Sequence, residues 1–196
     1  MNLVRGARAG HGESLEELYA RVAPALFAWA RLRIPGRFRT RLDAEDLVQE
    51  VWIRALTIFD SYDPQRSSFR AWIFRVAKNV MLEVFRKLGR TVGSAESPRA
   101  GGPSTRLRRL AGEPDPATSI SRRVARDEGI QRFLARTQEL NEDDRRLLVC
   151  CGLEGLPLAE AATRMSLTRD ATAKRWQRLR ARLERWDPPG DLLADD

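Results

Sequence analysis

Five side chains near the C-terminus of this chain are of the types that read DNA bases. They are Arg169, Lys174, Arg175, Gln177 and Arg178, and they lie in a stretch, residues 168–186, that holds seven bases against two acids. Arginine and lysine donate to guanine acceptors, and glutamine pairs with adenine. Arg180, Arg182 and Arg185 lie further along, where phosphate or solvent suits them. The plain alternative is a solvated basic helix face.

A second constellation occupies residues 43–86. Asp46, Gln49, Glu50 and Arg54 share one face at helical spacing. Three acceptors beside an apolar edge can clamp arginines of a partner, or simply keep the surface solvated. Tyr62, Phe69, Arg70, Trp72 and Phe74 then cluster around a polar turn. Rings so grouped can hold an unstacked base, each stacking contact contributing about 1–3 kcal/mol. Packing of the turn against the next helix is the other reading. Beyond them Arg75, Lys78, Asn79, Glu83 and Arg86 share one side at three- and four-residue steps.

Groups suited to catalysis are scarce. His11 is the single histidine, so neither a triad nor a histidine metal cluster can form. Asp143 and Asp144 read as helix-start residues. Cys150 and Cys151 are adjacent and point about 100° apart on a helix, which suits small buried hydrophobes in a reducing cytoplasm and not a disulfide framework or zinc site. We expect no enzymatic activity, no cofactor, no metal and no small-molecule substrate.

The elements that carry these residues are helical throughout, with no alternating strand pattern. Residues 13–33 show apolar positions at Leu15, Leu18, Val22, Leu26, Trp29 and Leu32, and Pro24 predicts a break or kink. A helix from Asp43 buries Leu47, Val48, Val51, Trp52, Ala55, Leu56 and Phe59, with Asp43 as its cap. Another runs from Ser67 or Ser68 to about Leu88 and buries Trp72, Ile73, Val76, Ala77, Val80, Val84 and Phe85. Gly89 to Pro116 is rich in Gly, Pro, Ser and Arg, which predicts a flexible linker. A single helix is expected over Ala117–Gln138, then one capped by Asn141 over Glu142–Cys151. Gly152 and Gly155 bracket a turn, Pro157–Met165 forms a short helix, and Thr168 caps a long one. A short helix, a tight turn and a longer basic helix make a helix-turn-helix.

The fold expected is therefore all-α: two small helical domains joined by a flexible basic linker, the second a helix-turn-helix. The boundaries are 1–90, 91–116, 117–186 and an acidic tail over 187–196. Net charge is +8 and the isoelectric point about 10.6, a balance that favours polyanions. The charge falls in blocks: five arginines and no acid in residues 31–41, then five acids and one arginine in residues 43–60. Such blocks suggest separate surfaces for separate partners. No stretch nears the ~18 apolar residues of a transmembrane span, and MNLVRGARAG lacks the apolar core of a signal peptide. We therefore expect a cytoplasmic protein without membrane insertion.

The segment DAEDLVQEVWIRAL followed by SSFRAWIFRVAKNVMLEVFRK resembles region two of the sigma-70 family of bacterial transcription initiation factors. LNEDDRRLLVCCGLEGLPLAEAATRMSLTRDATAKRWQRLRARL looks like region four. Two such domains with only a linker between them resemble the extracytoplasmic-function (ECF) group. The resemblance spans roughly residues 5–90 and 120–186. It implies that Asp46, Leu47, Gln49, Glu50 and Trp52 grip core RNA polymerase. It implies that the turn Ser61–Ser68 and the helix from Phe69 capture a flipped base of the minus-ten promoter element, with Tyr62, Phe69, Arg70, Trp72, Arg75, Lys78, Asn79 and Arg86 facing that DNA. The helix from Thr168 would read the minus-thirty-five element, and the linker would thread through the polymerase. A separate anti-sigma protein would supply regulation. The chain departs from the family pattern at Ser166, where many relatives carry glycine, at Ala171-Thr172, at Ala173 and at the acidic Glu83. The alternatives are a helix-turn-helix regulator that acts without polymerase, which would not need the acidic face at Gln49, and a basic helical RNA-binding protein.

Overall fold

The computed structural model describes residues 3–8, 12–91 and 116–194, and no strand occurs among them. The helices are α1 (Leu3–Arg8), α2 (Gly12–Arg33), α3 (Ala44–Thr57), α4 (Phe69–Thr91), α5 (Pro116–Arg126), α6 (Glu128–Arg136), α7 (Glu142–Leu147), α8 (Leu158–Met165) and α9 (Arg169–Glu184). A wide π-type turn over Leu148–Leu153 extends α7. The expected linker falls almost wholly on residues 92–115, which lie outside the described residues.

Side-chain caps set most of the helix starts. Asp43 accepts from the Glu45 amide at 3.1 Å, Ser68 from Ala71 at 3.2 Å, Asn141 from Asp144 at 2.9 Å and Thr168 from Ala171 at 3.2 Å. Each satisfies an amide that the first turn leaves without a partner. The same device divides the helix expected over Ala117–Gln138. Asp127 accepts from the Ile130 amide at 2.9 Å, so the chain turns there and α6 starts afresh. The carboxylate competes for backbone amides more strongly than the hydrophobic spacing across it favours one continuous helix.

Pro24 does not end α2, which runs unbroken from Gly12 to Arg33. Val22, Ala23, Ala25 and Leu26 are all buried, so packing on both sides holds the helix through the one lost hydrogen bond. The burial of α2 is broader than its expected stripe. Phe27, Ala28 and Ala30 are also buried, and α1, α3, α4, α5, α6, the π turn and the C-terminal segment all touch it. Over residues 22–30 the helix is buried almost all round and acts as a core element, and its alanines let neighbours approach closely.

One continuous core follows. It joins Leu26, Trp29, Val51 and Phe74 from the N-terminal helices to Ile130, Leu147, Leu153 and Leu183 from the C-terminal ones. The Tyr19 hydroxyl and the Ser121 hydroxyl lie 2.6 Å apart, tying α2 to α5, and Tyr19 stacks on Trp52 at 4.2 Å. The expected acidic tail is packed as far as Ala194. Leu192 is fully buried, and the Ala194 amide donates to the Gly152 carbonyl at 2.6 Å. Pro188 and Pro189 turn the chain back, and burial of Leu192 outweighs the segment's acidity.

Candidate nucleic-acid interface

A left-handed residue sets the angle between α8 and α9. Ser166 sits at φ 56° and ψ 38°, and the Leu167 amide donates to the Ala162 carbonyl at 3.0 Å. This is the six-residue bond of a Schellman-type cap, a position that glycine occupies without cost. A side chain there costs about 1–2 kcal/mol. On α9, Thr172, Trp176, Leu179 and Leu183 are buried, which turns Arg169, Lys174, Gln177 and Arg178 outward.

Arg175 is placed differently from its sequence reading. Its Nε donates to Asp144 at 2.7 Å, and its two terminal nitrogens donate to Asp143 at 2.8 Å and Asn141 at 2.9 Å. The guanidinium therefore ties α9 to the start of α7 and has few donors left for a base. The hydrogen bond to Asp144, opposed by burial and helped by Asp143, pushes its pKa up. Asp143 and Asp144 thus do more than start a helix. Arg182 is 3.5 Å from Glu139 and Arg180 3.2 Å from Glu184, so both have acidic neighbours.

On α3 the proposed gripping residues divide. Leu47 and Trp52 are 1% and 4% exposed and belong to the core, whereas Asp46 is exposed and Gln49 and Glu50 are half-buried. The accessible part of that face is therefore Asp46, Gln49 and Glu50. Glu45 beside them lies 3.7 Å from Arg122 of α5. Its carboxyl is pushed up by burial and by Asp43, and Arg122 opposes the shift. Arg54 pairs with Glu83 of α4 at 3.0 Å, so the departure at Glu83 has a partner inside the molecule.

The aromatic turn is closed. Phe59, Tyr62, Phe69 and Trp72 are all buried and pack on one another at centroid distances of 5.2–6.5 Å. Tyr62 donates from its hydroxyl to the Ser67 carbonyl at 3.3 Å. Phe74 is buried against Trp29. The rings form a floor under the turn, and Ser61, Pro64, Gln65, Arg66 and Ser68 make its exposed rim.

Along α4, Arg75, Asn79 and Arg86 are exposed, but Arg70 and Lys78 are engaged by the C-terminal half. Arg70 donates to the carbonyls of Asp191 at 2.6 Å, Leu192 at 3.2 Å and Leu153 at 3.3 Å. Lys78 lies 2.6 Å from Glu154, a carboxylate only 2% exposed. The same carboxylate accepts from the Trp29 indole at 2.8 Å and from Arg164 at 3.3 Å. Charge burial is tolerable only with such partners. Gly155 at φ +66° and the π turn aim Glu154 inward. Sequence reading missed Glu154. The available signal was a lone acid between glycines in the apolar run LLVCCGLEGLPL, which must find partners if buried.

The helices that carry the acidic face and the aromatic turn, α3 and α4, lie inside the residues, 18–91, that match the sigma-70 region 2 family. The chain is also similar to curated sigma factors of that family, several of them of the ECF group. It is 29% identical over 188 residues to the RNA polymerase sigma factor CnrH of Cupriavidus metallidurans, covering 92% of this chain and 90% of that one. It is 28% identical over 140 residues to the ECF sigma factor EcfG of Rhodopseudomonas palustris, covering 71% and 68% of the two chains. Among solved structures, CnrH in complex with the cytosolic domain of CnrY aligns at 25% identity over 93% of each chain with a TM-score of 0.41. Ser166, one of the departures from the family pattern read in the sequence, holds a left-handed geometry that glycine would adopt without strain. Among the described residues no helix is long and apolar enough to cross a membrane.

Proposed function

We propose that this chain is a non-catalytic RNA polymerase sigma factor of the ECF type, which binds core polymerase, recognises promoter DNA and opens it for initiation. The region 2 match over residues 18–91 carries this reading. It coincides with a helix pair whose two surfaces differ in charge, the acidic rim of α3 and the basic outer side of α4. Residues 1–90 form the polymerase and minus-ten domain, 91–116 the linker, and 117–186 the region four helix-turn-helix. Asp46, Gln49 and Glu50 accept hydrogen bonds from cationic side chains of the polymerase, while Leu47 and Trp52 hold the helix in place. The polar rim of the Ser61–Ser68 turn admits the flipped base over the floor of Tyr62, Phe69 and Trp72. Arg70, Arg75, Lys78, Asn79 and Arg86 follow the displaced strand. Arg169, Lys174, Gln177 and Arg178 read or hold the upstream duplex, and Arg175 fixes the angle of that helix. An anti-sigma protein is the regulatory partner.

A helix-turn-helix regulator without polymerase is disfavoured, because it has no use for a region 2. In vitro transcription with core polymerase on genomic promoter fragments, with start sites mapped, tests the reading. Start sites preceded by a common pair of elements are expected. A chain that binds duplex DNA but never recruits core polymerase would refute it.

A further inference from the structure

Two of the cations assigned to the melted strand are already occupied by the chain itself. Arg70 meets backbone oxygens of the C-terminal half: Leu153, Asp191 and Leu192. Lys78 meets the buried Glu154 carboxylate. Both sets of acceptors use donors that the proposed strand-binding role would give to phosphate oxygens. The segment that supplies most of these Arg70 acceptors is anchored at several points. Leu192 is fully buried, its turn touches α2, the Ala194 amide bonds Gly152, and a Cβ on Gly155 would lie 3.3 Å from that of Ala194.

From this we infer that residues 187–194 and Glu154 form an autoinhibitory strap, which holds Arg70 and Lys78 against the C-terminal half and must leave them before the single strand can bind. The inference rests on the proposed role of α4 in strand binding. The geometry makes the two states exclusive, because one guanidinium fork cannot serve the strap carbonyls and a phosphate together. The relative strengths make the strap displaceable. The hydrogen bonds of Arg70 to Asp191 and Leu192 of the strap go to neutral carbonyls, whereas a phosphate would add a full opposing charge and bidentate geometry. Lys78 is held by a full charge, so Glu154 is the firmer of the two catches. The sigma factor waits in a closed form, and polymerase and promoter together select the open one.

The test compares the full chain with three variants: a truncation after Trp186, Leu192→Asn, and Glu154→Gln, which keeps an acceptor for Trp29. Far-UV circular dichroism establishes which of them fold. Small-angle scattering reads opening. Anisotropy of a fluorescein-labelled single-stranded 20-mer of mixed sequence reads strand binding, and a pull-down reads recovery of core polymerase. If the closed form dominates by ten to one, release tightens apparent strand binding about tenfold, since affinity scales with the competent fraction. Expansion together with that tightening in the folded variants is the expected result. Folded variants that bind the strand no more tightly, expanded or not, overturn the strap; recovery of core polymerase by the full chain would then leave the sigma reading intact. Expansion and tighter strand binding with no core recovery by any form would keep the strap and sink the sigma reading.

Discussion

Arg175→Ala separates a base reader from a clamp. The guanidinium makes three bonds at 2.7–2.9 Å, to Asp144, Asp143 and Asn141. A hydrogen bond to a charged group contributes about 1.5–3 kcal/mol when shielded. Asp143 is half exposed, so its share is discounted to under about 1 kcal/mol. Asp144 is 18% exposed and Arg175 itself 25%, so that contact keeps most of its strength. Alanine therefore loses about 2–3 kcal/mol. In a chain of this size each kcal/mol moves the midpoint by about 2–4 °C, which gives a fall of roughly 5–10 °C. Arg175→Lys keeps the charge but loses the fork, so it should recover only part of the fall. Thermal unfolding by circular dichroism reads the stability. Titration of duplexes substituted at each upstream position reads the DNA. A clamp predicts weaker binding to every duplex alike, because the helix angle loosens. Lys174→Ala or Arg178→Ala should instead relax preference at particular positions, with about 1–3 kcal/mol lost on the cognate duplex. An unchanged midpoint with preference lost at one base pair would refute the clamp and restore Arg175 as a reader.

Gln49→Ala with Glu50→Ala should weaken core polymerase recovery while leaving the melting temperature within a few degrees, whereas Trp52→Ala should cost about 3–5 kcal/mol of stability in urea, since it empties a core position. The reverse pattern would move the polymerase contact to Trp52. Ser166→Gly should raise stability by up to about 1 kcal/mol, because it removes left-handed strain and keeps the Leu167 bond; a fall would show that the serine side chain contributes more than its strain. Burial raises the Tyr19 pKa far above its ordinary value near 10, with the Ser121 bond opposing and Glu45 adding to the shift. A raised folded pKa contributes stability that is complete below pH 10 and is lost as pH climbs toward the folded value, at about 1.4 kcal/mol per unit. Urea midpoints from pH 9 to 11 should therefore fall more steeply for the natural chain than for Tyr19→Phe, and equal slopes would exclude Tyr19 as the source.

Local chemistry is legible in the order of the amino acids. The caps at Asp43, Asn141 and Thr168, most of the buried stripes of α3, α4 and α9 (Leu56, expected on the α3 stripe, is exposed), and the turn at Gly155 follow from side-chain size, polarity and short-range hydrogen bonding, which act within a few residues. The acid–base division between α3 and α4 is likewise written in the spacing. Three features are not. Asp127 divides a helix that its hydrophobic period would continue, because a cap and a helix interior differ by only a few tenths to one kcal/mol locally and packing decides between them. Leu47 and Trp52 are readable as core from their spacing, but Tyr62 and Phe69 of the aromatic turn have the composition of a binding surface and are buried too. Nothing in one helix says which neighbour will cover it. The partners of Glu154, Arg175 and Arg70 lie 125, 31 and 121 residues away in sequence, at Trp29, Asp144 and Asp191. Spacing along the chain carries no information about such pairs. They form only when the core has brought the two halves together, and that closure, a property of the tertiary structure alone, determines which of the promising cations remain available to DNA.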